Sequence, residues 1–183
     1  MTELALLAEA VGTNERTLRR AVSQGTVRAT RPTPRTLELP LAERRYVRRS
    51  WPLLASLRTA LRTEPNVRAA LLFGSAARGT DTAASDVDVL VELRDPSLDR
   101  LVDLSGSLMT IVSRRVDLVR LDDAEADPAF LADVVAEARV LVDRDGLWQR
   151  LRAREPGLRR RGSVRDSSRA RAALAGIDRL TKD

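Results

Sequence analysis

The stretch that most constrains this chain is Leu71-Leu72-Phe73-Gly74-Ser75-Ala76-Ala77-Arg78-Gly79-Thr80, followed by Ser85-Asp86-Val87-Asp88-Val89-Leu90-Val91. It reads as an apolar strand, a tight Gly-Ser turn, a short polar connection and a second apolar strand carrying two aspartates. Side chains alternate along a strand, so Asp86 and Asp88 share a face. The residues between and after them are almost all apolar, the pattern of a strand buried on both faces. Two carboxylates side by side there repel each other and need a divalent cation or a proton to compensate them. Gly74 can take backbone angles closed to other residues, and Ser75 offers a hydroxyl and an N–H where the chain leaves the strand. Backbone donors beside a paired-carboxylate cation site make a grip for a nucleoside triphosphate.

Composition narrows the chemistry. Cysteine and histidine are both absent, which excludes disulfides, thiolate metal sites, histidine acid–base work and His-ligated zinc. Any metal must sit on oxygen ligands, which means a hard cation such as Mg²⁺. No apolar run is long enough to span a bilayer and no signal-like segment opens the chain, so the expectation is a cytoplasmic protein without membrane contact. The net charge of +6 is uneven: residues 1–50 carry 10 Lys/Arg against 5 Asp/Glu, 51–143 carry 10 against 16, and 144–183 carry 12 against 5. An acidic middle between two basic ends suggests an anionic partner.

Along the chain, Leu4, Leu7, Ala8 and Val11 have helical spacing and Gly12 closes that helix. Thr13 is the expected N-cap of a second helix reaching Gln24 and ended by Gly25. Leu18 and Val22 face inward, leaving Asn14, Arg16, Arg19, Arg20 and Gln24 outward, side chains suited to DNA contact. Residues 26–31 and 35–39 flank Pro32-Thr33-Pro34 as a small hairpin, a wing with Arg28, Arg31 and Arg35 available to phosphates. Residues 41–49 are basic and helical in pattern, and Ser50 is the expected N-cap of a fresh helix with Pro52 in its first turn. Then come strand 67–73, the Gly-Ser turn, strand 87–93, a helix over 97–112, strand 116–121 with Asp117 alone in an apolar run, an acidic loop 122–127, a helix over 128–139 and a strand at 140–142. Asp81, Asp122 and Asp123 read as loop charges. A helix from Leu147 should stop at Pro156-Gly157, with a weaker one at 168–180. The division expected is 1–45, a helix-turn-helix or winged-helix-like DNA-binding module; 46–145, an α/β domain; and 146–183, a basic helical tail.

Gly74-Ser75, ten intervening residues, then Asp86-x-Asp88 resembles the signature of the polymerase-beta-like nucleotidyltransferases, in particular the minimal nucleotidyltransferase domains. Asp117 stands where that family carries its third acid. The resemblance implies an α/β nucleotidyltransferase fold, a small mixed sheet with flanking helices. It also implies two Mg²⁺ ions held by Asp86, Asp88 and Asp117, ATP or another NTP gripped by Gly74, Ser75 and Arg78, and transfer of a nucleoside monophosphate to an acceptor hydroxyl. Domains of this kind resemble the antitoxins of HEPN/MNT toxin–antitoxin pairs, which modify a tyrosine of a HEPN toxin. The toxin needs a histidine this chain lacks, so the antitoxin side is the one implied, with the N-terminal module regulating its own operon. A small-molecule nucleotidyltransferase of the aminoglycoside type, or a nucleotide-sensing transcription regulator, are the alternatives.

Overall fold

The computed structural model describes residues 2–33 and 36–162. Arg35 and the weaker helix at 168–180 lie outside them. Two short helices, α1 (Glu3–Ala10) and α2 (Glu15–Ser23), are followed by a hairpin of β1 (Thr30–Thr33) and β2 (Thr36–Glu38). Asn14, not Thr13, caps α2: its Oδ1 accepts from the Thr17 N–H at 2.8 Å. Asn14 is the better cap because its short amide carbonyl reaches the third amide of the helix. Gln24 does not face outward either, since its Oε1 accepts from both Arg58 and Arg62.

The largest departure comes next. One helix, α3, runs unbroken over Leu41–Thr63, with Pro52 inside it and Ser50 buried rather than capping. An internal proline costs about 3 kcal/mol. It is outweighed because Val47, Trp51, Leu54, Leu57 and Leu61 bury one stripe of this helix, each worth about 1.5–3 kcal/mol. The position 45/46 falls inside α3. Its stripe belongs to one core that also takes in Leu4, Leu7, Leu18 and Ala21 from the first two helices.

The sheet has the order β5-β4-β3-β6. β3 (Val67–Phe73) and β4 (Val87–Leu93) are antiparallel, joined through the short helix α4 (Gly74–Arg78). After α5 (Leu98–Val112), β5 (Val116–Arg120) lies parallel to β4. The segment expected as an acidic loop is a short helix, α6 (Leu121–Glu125), because Leu121 and Ala124 turn into the core. α7 (Pro128–Glu137) then leads to the edge strand β6 (Arg139–Asp143), antiparallel to β3.

A final helix, α8, covers 147–162 and passes straight through Pro156 and Gly157. Leu147, Leu151 and Leu158 bury one side of it, and that packing overrides the two poor helix formers. The sheet thus has a core on each face. Val87, Val89 and Val91 point to α3 and α5, while Leu71, Phe73 and Leu90 point to α7 and α8. Among the described residues no helix is long and apolar enough to cross a membrane.

Candidate active site

β4 brings Asp88 onto the face of Leu90, two residues away, but at the strand's start, beyond the helices that cover that face. Parallel pairing sets Asp88 opposite Asp117 on β5, and antiparallel pairing sets it opposite Phe73, the last residue before Gly74. Asp86 stands just before β4, close enough for its charge to act on Asp88 and with its Oδ2 3.8 Å from the Arg115 Nε that also pairs with Asp117. Asp88 and Asp117 are therefore neighbours on the sheet, with Asp86 beside them on the segment that enters β4.

The electrostatics follow from this crowding. Burial pushes the Asp88 carboxyl up from its ordinary value, and the neighbouring charges of Asp117, Asp86 and Glu137 push it further, with Arg78 pulling the other way. Arg115 answers part of the excess, its Nε lying 3.1 Å from Asp117 Oδ1 and 3.8 Å from Asp86 Oδ2. Sequence reading passed over Arg115, although its position two residues before Asp117, just ahead of β5, is a signal that could have found it. Among the described residues, no group of three or more Asp, Glu, His or Cys side chains stands gathered as a metal cage. Asp86 and Asp117 are arranged around a guanidinium instead. The donor set, three carboxylates with a surplus of negative charge and neither His nor Cys in the chain, fits a hard divalent cation.

Gly74 is required twice over. Its φ is +69°, and a Cβ there would lie 2.2 Å from Asp88 Oδ2. Gly74→Ala is therefore expected to cost about 1–2 kcal/mol from the left-handed backbone alone, and to push the Asp88 carboxylate out of place. Thermal melts read the first effect and nucleotidyl transfer the second. A variant with wild-type melting and wild-type transfer would show that the close approach is unimportant.

Glu137, at the end of α7, has no counterpart in the sequence expectation. Its Oε1 accepts the Gly74 N–H at 2.7 Å, and its Oε2 pairs with Arg78 Nη1 at 2.5 Å. Nothing local marks it, because the contact joins residues far apart in the chain. Asp81 was read as a loop charge, yet its side chain is only 9% exposed, clamped by Arg49 Nη2 and Arg114 Nη1 at 2.8 Å each. Arg114 also donates to the Ser85 carbonyl at 2.6 and 3.0 Å. These contacts fix the loop that delivers Asp86. Asp122 and Asp123, also read as loop charges, lie in α6 instead, Asp123 exposed and paired with Arg120 at 2.8 Å.

Of the other expected residues, Ser75 stands in α4, half-buried, its carbonyl accepting from the Gly79 and Thr80 N–H groups. Arg16, Arg19 and Arg20 are exposed on α2, apart from the acid cluster, with Arg19 paired to Glu15. Arg28, expected to be free for phosphates, donates instead to the Glu137 carbonyl.

Residues 56–146 match the family model described as polymerase beta, nucleotidyltransferase. Two proteins of Methanocaldococcus jannaschii named as candidate protein adenylyltransferases are similar to this chain. MJ0126 is 32% identical over 68 residues, covering 37% of this chain and 69% of its own. MJ1379 is 34% identical over 70 residues, covering 37% and 70%. Among solved structures, the complex of a tri-AMPylated Shewanella oneidensis HEPN toxin with its MNT antitoxin matches at 20% identity and TM-score 0.41, over 72% of this chain and 95% of that one. The matched segment holds α4, β4 and β5 with Asp86, Asp88 and Asp117, and by the family model and the two archaeal relatives the chain is a nucleotidyltransferase belonging to the polymerase beta nucleotidyltransferase family.

Proposed function

We propose that the protein transfers AMP from ATP to a tyrosine hydroxyl of a HEPN-type toxin, with Asp86, Asp88 and Asp117 as the catalytic acids. The observation that carries this reading is the pairing of Asp88 with Asp117 beside Gly74, with Asp86 close enough to act on Asp88. The names of the two archaeal relatives support the protein acceptor. An acceptor within the chain is disfavoured for tyrosine, because Tyr46 is the sole tyrosine and its buried hydroxyl donates to the Ala76 carbonyl at 3.0 Å.

In this reading Gly74, Ser75 and Arg78 hold the phosphates, and the guanidinium of Arg78 meets charge developing on them. The acceptor oxygen attacks the α-phosphorus as the bond to the bridging oxygen breaks, and pyrophosphate leaves. Without histidine, the Asp117 carboxylate takes the hydroxyl proton. Asp86, Asp88 and Asp117 would hold Mg²⁺, which supplies Lewis-acid stabilisation of the phosphoryl oxygens and lowers the pKa of a bound hydroxyl.

Glu137 occupies the Gly74 N–H and Arg78, the groups assigned here to phosphate. Glu137→Gln is accordingly expected to lower KM for ATP several-fold with little change in melting, an exposed pair being worth under about 1 kcal/mol. A raised KM would make Glu137 a support for Arg78 rather than a competitor.

The N-terminal module, with Asn14, Arg16, Arg19 and Arg20 on or beside α2, would bind operator DNA, Asn14 acting from its capping position. The experiment mixes the full chain, ATP, Mg²⁺ and the HEPN-type protein of a neighbouring reading frame, and reads AMP on tyrosine by mass spectrometry. AMP appearing only on small hydroxylated compounds would overturn the protein acceptor. Promoter binding that is insensitive to salt and to Arg16→Ala/Arg19→Ala would overturn the DNA reading, since phosphate contacts make such binding fall steeply with salt.

A further inference from the structure

Away from the acid cluster, at the opposite edge of the sheet, the C-terminal ends of α2 and α3 meet β6 and the start of α8 around a cavity of about 570 Å³. Arg20, Arg62, Arg144, Gln24 and Trp148 line it. Behind Gln24 lies Arg58, 5% exposed. Arg58 Nη2 and Arg62 Nη2 both donate to the single oxygen Gln24 Oε1, at 2.6 and 2.7 Å, and Arg58 Nη1 donates to Thr26 Oγ1. Every one of those acceptors is neutral.

None of the ion pairs among the described residues uses Arg20, Arg58, Arg62 or Arg144. A buried guanidinium without a counter-charge is expensive. Burial, and then repulsion from Arg62 and Arg20, lowers the Arg58 pKa to about 10.

Ordinary structural roles absorb part of this charge. Arg144 Nη2 donates to the carbonyls of Arg62 and Glu64 at 3.0 and 3.1 Å, which ties down the end of α3. Each helix C-terminus carries roughly half a negative charge, so α2 and α3 together offset about one guanidinium. Asp143 offsets one more, although its two oxygens are engaged by the Leu147 and Trp148 N–H groups at 2.9 and 3.1 Å. Arg20, Arg62 and Arg144 line the cavity and Arg58 stands behind them, so a net positive charge remains after these offsets and the pull of Asp145 on Arg144, the sign that suits a phosphate monoester with its roughly −1.5 to −2 at neutral pH.

We propose that this cavity is a second ligand site, separate from the acid cluster, which binds the phosphate of a nucleotide between Arg20, Arg62 and Arg144 with Trp148 beside the base. Its volume lies within the range of small-molecule sites. The nucleotide comes either free, as AMP, or as the phosphorylated end of a nucleic-acid strand, and the same phosphate contacts serve both. An indole at the wall suits either, since stacking on an aromatic ring does not discriminate between bases.

The test uses the full chain in chelator, so that no divalent cation loads the acid cluster. AMP, adenosine and a short 5′-phosphorylated single strand are titrated by calorimetry, with tryptophan fluorescence in parallel and Trp148→Phe as its control. AMP is expected to bind at one site, adenosine at least about tenfold more weakly, and Asp86→Ala/Asp88→Ala to leave AMP binding unchanged. Arg20→Gln/Arg62→Gln is expected to weaken AMP by about tenfold or more, the effect of one to two charge-assisted contacts. These two arginines leave Arg58 in place, and a melting curve checks the fold. Equal affinity for AMP and the strand assigns a free nucleotide, and a strand preference of about tenfold assigns a strand end. No AMP or strand binding in the wild type, or binding that the double variant leaves intact, overturns the site.

Discussion

Asp88→Ala is expected to abolish nucleotidyl transfer while making the metal-free protein more stable. Removing a group that stabilises transition-state charge at such a centre costs at least about 10²–10³ in rate. Stability moves the other way because Asp88 is held under compression: burial and the charges of Asp117, Asp86 and Glu137 all raise its pKa. A carboxyl whose folded pKa lies above its unfolded one favours the fold below the unfolded value, near 4. That contribution is lost as the pH rises through the folded pKa. In chelator, the wild type should therefore lose stability relative to Asp88→Asn as pH climbs from about 4 toward neutrality. Denaturation midpoints of the two proteins across that window measure it. Wild-type transfer by Asp88→Ala, or Asp88→Asn less stable than wild type at pH 7 in chelator, would remove Asp88 from the site.

The same residues show how far sequence reasoning reaches. β3, β4 and β5 are apolar runs broken by few charged residues, so their spans, and the expectation that Asp86 and Asp88 share a face, follow from alternation alone. Gly74 follows from the turn, although its contact with Asp88 depends on the pairing of Phe73 with Asp88. What stayed hidden depends on distant segments meeting. Ser50-Trp51-Pro52 carries every local mark of a helix start, and only burial of the stripe from Tyr46 to Leu61 keeps α3 continuous. Pro156-Gly157 is overridden in α8 for the same reason. Glu137 reaches Gly74 across 63 residues and Arg139 reaches Glu43 across 96. No local pattern distinguishes these from surface charges.

Arg139→Met is expected to destabilise the protein by about 3–5 kcal/mol, the usual effect of removing one partner from a buried ion pair. Arg139 and Glu43 are 2% and 6% exposed. They meet end-on, through both terminal nitrogens: Nη1 to Oε1 at 2.5 Å and Nη2 to Oε2 at 3.0 Å. Two further donors are engaged: Nε donates to the Ala77 carbonyl at 2.7 Å and Nη1 to the Thr26 carbonyl at 3.3 Å. The guanidinium also lies 3.4 Å from the centre of the Tyr46 ring, whose hydroxyl burial pushes up to about 12. One side chain on β6 thus ties together the segment after α2, the first turns of α3 and the carbonyls of α4. Without it, the partner recorded for Glu43 among the described residues is the Arg28 N–H at 2.9 Å, and Glu43 remains a buried charge. The double variant Arg139→Met/Glu43→Leu should recover much of the loss, because it leaves neither charge stranded. Tyr46→Phe, which removes one hydrogen bond to Ala76 and keeps the packing, should cost only about 1 kcal/mol. Urea denaturation of the three variants separates these terms. Because Ala76 and Ala77 belong to α4, Arg139→Met should also lower transfer below 10% of wild type, about 1.4 kcal/mol in barrier, under conditions where the variant is still folded. A double variant no better than the single one would mean that packing around Arg139, rather than its charge pairing, holds α4 in register with the acid cluster.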